Sequence, residues 1–62
     1  MEKFYLRVYY GNNYQDIDVI AYEYENTDGQ LIFMNTDGDI TCSYPSNMTA
    51  IMQIEEINDP FE

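Results

Sequence analysis

The chain has no histidine and no tryptophan, and its only cysteine is Cys42. Histidine is the side chain that most often serves as general acid or base, and a lone cysteine without histidine can form neither an internal disulfide nor a zinc site. Ser43 and Ser46 have no base partner visible in the sequence. We therefore predict that the protein is not an enzyme, with no catalytic residues and no cofactor, and that Cys42 is a buried small hydrophobe.

Long apolar runs are also absent. The longest one, Leu31–Met34, is far shorter than the roughly 20 residues that cross a bilayer, and the N-terminal residues Met1–Phe4 lack the pattern of a signal peptide. Anionic lipid repels an acidic surface, and a single cysteine is typical of a reducing compartment. These features predict a cytoplasmic protein with no membrane partner.

Basic residues are nearly missing, since Lys3 and Arg7 stand against twelve Asp and Glu and the net charge is −10. An acidic chain with few aromatics is typically disordered. Here 16% of the residues are aromatic, which is enough apolar material for a small core. We expect a single folded acidic β domain over residues 1–62, whose tail, 58–62, frays.

Alternating apolar and polar residues, punctuated by turn residues, divide the chain into strands. Asp-Gly pairs in Asn26–Gly29 and in Thr36–Asp39 predict two hairpin turns, because glycine accepts a positive φ. Pro45–Met48 is typical of one helical turn. The pattern predicts an all-β, five-stranded antiparallel meander that curls into a small barrel. The predicted strands are Phe4–Tyr10, Ile17–Glu25, Leu31–Asn35, Ile40–Tyr44 and Ala50–Ile54.

The segment Ser43–Met48, followed by an apolar strand, resembles the short helical turn before the last strand of Src-homology-3 domains. This resemblance covers about a dozen residues and implies an SH3-like barrel. The tryptophan and the aromatic groove with which such domains bind proline-rich peptides are missing, so peptide binding is not carried over.

The second half of the chain, with its Asp-Gly turn and its Ile54–Ile57 ending, resembles small β proteins encoded by phages and mobile elements of Gram-positive bacteria. Such proteins are commonly small barrels, and many act on host or defence proteins. The resemblance implies a site of action in the bacterial host cytoplasm, as an anti-defence protein that blocks a restriction or RNA-guided (CRISPR) nuclease, or as a host-takeover protein that modulates a polymerase.

Charge is the strongest functional signal. In a five-strand meander the loop 11–16, the turn 36–39 and the segment after the last strand share one end of the sheet, away from any basic residue. A compact domain of this length is about 27 Å across, so its net charge approaches the one per ~3.4 Å of single-stranded DNA. The acids expected there are Asp16, Asp18, Asp37, Asp39, Glu55, Glu56 and Asp59.

These observations favour a small acidic inhibitor that mimics DNA and binds the basic surface of a nucleic-acid-binding protein, such as a nuclease or polymerase. DNA and RNA themselves would be repelled. Tyrosine is enriched in interface hot spots, so tyrosines beside the acids join the predicted site. The predicted partner-binding residues are Tyr9, Tyr14, Asp16, Asp18, Asp37, Asp39, Glu55 and Glu56.

Two other interpretations remain open. The charge can serve solubility alone, or the chain can be an assembly module, monomer or homodimer, that pairs through an edge strand. Asn35–Asp39 superficially resembles the start of a calcium-binding loop. The later glutamate and the flanking helices of such loops are absent, so a hairpin turn without metal is the preferred interpretation.

Overall fold

In a computed structural model, residues 1–57 are described, and they contain six β-strands and one 3-10 turn. The all-β class is therefore confirmed. The fraying predicted for residues 58–62 lies outside the described residues. The elements are β1 (Glu2–Tyr10), β2 (Asn13–Ala21), β3 (Glu23–Thr27), β4 (Gln30–Met34), β5 (Ile40–Pro45), the 3-10 turn (Ser46–Met48) and β6 (Thr49–Glu56).

The strand count differs from the five-stranded meander that was expected. The predicted strand Ile17–Glu25 starts earlier and breaks at Tyr22, whose backbone N–H donates to the carbonyl of Met34 at 2.8 Å. Apolar residues alternate on both sides of this run, which suits a chain that leaves one sheet and enters another. The strands form two three-stranded antiparallel sheets, ordered β2-β1-β6 and β3-β4-β5, and no strand ladder joins the sheets within residues 1–57.

The first sheet (β2-β1-β6) is centred on β1. Phe4, Leu6 and Val8 point inward and are at most 2% exposed, whereas the odd-numbered residues point outward. Strand β6 runs antiparallel to β1, with Glu56 opposite Glu2, and a register shift beside Tyr5 and Leu6 marks a β-bulge. With six strands rather than five, the last strand ends where β1 begins.

The second sheet (β3-β4-β5) supplies the other half of the core through Leu31 and Phe33. The Phe4 ring meets the Phe33 ring edge-on, with centroids 5.1 Å apart, and the Tyr24 ring at 5.3 Å. Edge-to-face aromatic pairs add stability beyond their buried area. Cys42 packs against this core but is only half-buried, whereas a buried position was predicted for it.

Both predicted hairpin turns are confirmed. In the first, Asp28 and Gly29 take positive φ values of 51° and 75°, which glycine reaches without steric cost. The backbone N–H of Ser46, in the predicted helical turn, donates to the carbonyl of Gly29 at 2.9 Å. The molecule measures 43 × 22 × 13 Å, and it is therefore longer than the expected globule.

Candidate partner-binding surfaces

One candidate surface is the outward side of the first sheet, which we call the outer face. Strand pairing places Arg7 opposite Asp16, Tyr5 opposite Asp18 and Tyr9 opposite Tyr14 on this side. Neighbouring strands thus bring acidic, basic and aromatic side chains together. The outer face comprises Lys3, Tyr5, Arg7, Tyr9, Tyr14, Asp16, Asp18, Ile20 and Glu55.

Arg7 is held by two neighbours on β2. Its Nε and Nη2 donate to the two carboxylate oxygens of Asp16 at 2.8 and 3.3 Å, and the guanidinium lies 4.0 Å from the centroid of the Tyr14 ring. Hydrogen bonding from Arg7 lowers the pKa of Asp16 below its usual value, and the same bond raises the pKa of Arg7. A bidentate pair stacked on an aromatic ring fixes the guanidinium more firmly than an isolated surface pair.

Lys3 and Tyr5 form the second charged group of the outer face. The Lys3 Nζ lies 3.7 Å from Asp18 Oδ2 and 5.1 Å from the centroid of the Tyr5 ring. Charge interactions, first with Tyr5 and then with Asp18, raise the pKa of Lys3. The Tyr5 hydroxyl donates to Glu55 Oε2 at 2.5 Å, and this hydrogen bond raises the pKa of Tyr5.

The outer face therefore holds both cationic side chains of the protein. The prediction that Asp16 and Asp18 lie away from any basic residue is wrong, because Arg7 lies directly opposite Asp16 in the ladder and Lys3 reaches Asp18 diagonally. A shallow cavity of about 160 Å³ lies between these pairs and the exposed side chain of Met52 in the β-bulge. This surface is acidic in composition but nearly balanced in charge.

A second candidate surface, the acidic end, lies where β1 and β3 begin and where β2, β4 and β6 end. Glu2 and Glu56 face each other across the β1–β6 ladder. Met1 and Ile57 are joined by a 3.0 Å backbone hydrogen bond beside a depression of about 350 Å³. The acidic end comprises Glu2, Glu23, Asp37, Asp39 and Glu56.

The turn after β4 carries two of these acids. The Asn35 side-chain oxygen accepts hydrogen bonds from the backbone N–H groups of Asp37 and Asp39, both at 3.0 Å. The Asn35 backbone N–H donates to the carbonyl of Asp39, and the Gly38 N–H donates to the carbonyl of Asn35. This network is that of an Asx-turn, in which the Asn35 side chain accepts hydrogen bonds from the backbone of the turn. Within residues 1–57, no group of three or more Cys, Asp or Glu side chains lies close enough to hold a metal ion.

The structure divides the predicted partner-binding residues between the two surfaces. Tyr9, Tyr14, Asp16, Asp18 and Glu55 lie on the outer face. The other three, Asp37, Asp39 and Glu56, belong to the acidic end, while Asp59 lies outside the described residues.

Sequence reasoning missed Glu2 and Glu23, because an assumed meander of five strands places their positions far from the end of the last strand. The signal that could have found them is the two-sided alternation around Tyr22, which marks the change of sheet.

Comparison with protein-family models, with curated proteins and with solved structures gave no match to this chain. The part of the chain that the structure describes has no helix long and apolar enough to cross a membrane. The interpretation of the two surfaces therefore depends on their own geometry and charge.

Proposed function

We propose that this protein is a small acidic inhibitor or modulator that docks its acidic end onto the basic, nucleic-acid-binding surface of a target protein. The observation that supports this is the division of charge. Arg7 and Lys3 are occupied by Asp16 and Asp18 on the outer face, so no lysine or arginine side chain offsets the carboxylates of the acidic end.

The magnitude of the charge fits this role. Within residues 1–57 ten Asp and Glu stand against Lys3 and Arg7, so eight net charges over the 43 Å long axis amount to about one per 5 Å, compared with one per ~3.4 Å in single-stranded nucleic acid. The longer molecule makes this density lower than the one expected from sequence. Clustering at one end restores a strong local field, which acts over a Debye length of about 8 Å at physiological salt.

The proposal includes a kinship with SH3-like barrels, and through it with the small phage-encoded proteins that act on host or defence enzymes. A central first strand is flanked by the second and last strands, the chain crosses at Tyr22 into a second sheet, and a 3-10 turn precedes the last strand. A target of this kind would be a nuclease or polymerase in the bacterial cytoplasm. Fold alone does not assign function, so the charge division carries the proposal.

The test is capture of bacterial proteins from a lysate on the immobilised protein, at low and at high salt. We expect a nucleic-acid-binding protein to be retained at low salt, released by high salt and displaced by duplex DNA. The acidic-end variant Asp39→Asn with Glu56→Gln should lose most of this retention.

A matched control removes the same charges elsewhere, with Asp28→Asn and Glu25→Gln, in the first turn and on β3. This control should retain the target. Retention that is insensitive to salt and DNA, or that falls equally in the two variants, would show that the acidic end is only a solvated surface.

A second candidate is self-assembly through β6. Strand β6 lies at the edge of the first sheet opposite to β2, and its Met52 and Ile54 side chains are 56% and 44% exposed. Apolar residues on an edge favour pairing with another chain. Sedimentation velocity over a range of protein concentrations would separate the candidates, because a dimer that is abolished by Ile54→Lys supports assembly, whereas a monomer at all concentrations excludes it.

A further inference from the structure

Strand β2 is an open edge. It has 9 residues, Asn13–Ala21, and pairs with β1 on one side, while within residues 1–57 no strand pairs with its other side. Alternate residues of such an edge leave their N–H and C=O groups unpaired, and natural proteins usually keep exposed edges short or covered. An uncovered edge of this length is suited to addition of a strand from another chain.

The outward side chains along this edge have a distinct order. Tyr14 and Ile20 stand at its two ends and are 56% and 55% exposed, and Asp16 and Asp18 stand between them. The carboxylates bind Arg7 and Lys3 on the β1 side, yet their side chains remain 60% and 54% exposed. An ionised carboxylate accepts about four hydrogen bonds, so both can take a further donor from the open side.

We propose that β2 is a strand-addition site for an extended segment of a partner protein in which two basic residues alternate along one side and are flanked by apolar residues. Cross-strand pairs of opposite charge stabilise a sheet, and like pairs destabilise it. A cation of the added strand opposite Asp16 would place a negative charge on β2 between two positive charges, one on the added strand and Arg7 on β1. The flanking apolar side chains meet Tyr14 and Ile20. This surface is separate from the acidic end, so the inference does not depend on the proposed function.

A second copy of the chain fits this edge poorly. In the antiparallel two-fold register with the longest overlap, Ile17 faces its own copy and Asp16 faces Asp18 of the second copy. Shifting the register by one pair in either direction sets Asp16, or Asp18, against itself. Because like charges directly opposite are unfavourable, the edge selects a basic strand rather than its own copy.

The test uses a synthetic peptide with Lys and Arg two positions apart, threonine between them, and threonine then leucine on both sides. The control peptide has the same composition but places the two cations next to each other, so that they point to opposite faces of a strand. Titration is followed by amide NMR. We expect shifts and slowed hydrogen exchange along Asn13–Ala21, and at least threefold weaker binding of the control peptide.

Matched variants locate the site. Asp18→Asn should weaken binding of the alternating peptide by roughly two- to fivefold, and Asp18→Lys should weaken it further through repulsion. Glu25→Gln on β3 removes the same charge elsewhere and should leave binding unchanged. Equal binding of the two peptides, equal loss in Asp18→Asn and Glu25→Gln, or amide shifts confined to the acidic end would overturn the proposal.

Discussion

The outer face and the acidic end are both rich in carboxylates, but they are held in opposite ways. On the outer face, Asp16 is fixed by a bidentate bond from Arg7, and Asp18 lies beside Lys3. At the acidic end, Asp37 and Asp39 are positioned by backbone hydrogen bonds to Asn35, and their carboxylates face no lysine or arginine.

This difference shows that net charge alone does not locate a binding surface. Lys3 and Arg7 are four residues apart on β1, so their side chains lie on the same face of the sheet. Their placement neutralises the middle of one sheet and leaves its end without a lysine or an arginine. Glu2 opposite Glu56 is locally unfavourable for stability.

Both surfaces rest on one core, and the largest expected effect is its removal. Phe4→Ala deletes a ring that is 1% exposed and packs on Phe33. Loss of a buried Phe typically costs about 3–5 kcal/mol, comparable to the whole stability of a domain this small. Urea unfolding followed by circular dichroism should find the variant largely unfolded without denaturant. Met52→Ala, at an exposed position, should stay within about 0.5 kcal/mol, and a stable Phe4→Ala protein would contradict the role given to this core.

The next largest effect distinguishes carboxylates held by ion pairs on the outer face from those positioned by backbone hydrogen bonds at the acidic end. Asn35→Ala removes the acceptor for the N–H groups of Asp37 and Asp39 and should cost about 1 kcal/mol. Because these bonds join neutral groups, the loss should be nearly the same at low and high salt. Thermal unfolding at both salt concentrations measures it. A loss that disappears in high salt would mean that the turn is governed by charge rather than by hydrogen bonds.

A smaller change of opposite sign is expected from relief of repulsion. Glu56→Lys places a cation opposite Glu2 and should raise the free energy of unfolding by about 0.2–1 kcal/mol at low salt. The control Glu25→Lys changes the charge equally at a position opposite the uncharged Ile32. Chemical denaturation of the two variants gives the comparison. If both gain equally, the stabilisation comes from net charge and not from the Glu2–Glu56 pair.

Local pattern predicted much of this fold. The two Asp-Gly turns and the single helical turn before the last strand follow from residue types whose backbone preferences act over a few positions. The inward Phe4, Leu6 and Val8 follow from alternation. These features need no knowledge of distant contacts.

The two-sided alternation around Tyr22 indicates a change of surroundings but not the residue at which the strand breaks, because apolar residues occupy both sides of that run and either side could face a core. That single error reversed the direction of the last strand and moved Glu56 to the other end of the sheet. The pairing of Arg7 with Asp16 was missed for a related reason. Cross-strand partners depend on the register of the two strands. The two-residue connection between β1 and β2 fixes that register, but it can be identified only when the end of β1 and the beginning of β2 are both known.

The smallest effects concern pH, and they distinguish the bonds of the outer face from one another. The depressed pKa of Asp16 means that its pair with Arg7 contributes stability above the ordinary aspartate pKa of about 3.9, which is lost as the pH falls through the folded-state value.

The raised pKa values of Tyr5, bonded to Glu55, and of Tyr44, which is partly buried, act at the alkaline end. Their contribution is present below about pH 10 and is lost as the pH rises through the folded-state values. Relative to the wild type, Asp16→Asn should therefore lower the melting temperature slightly at pH 7 and reduce the loss of stability in acid, whereas Tyr5→Phe should lower it slightly below about pH 10 and reduce the loss in alkali. Melting curves across the pH range would contradict this assignment if both substitutions changed the loss of stability in acid, or both changed the loss in alkali.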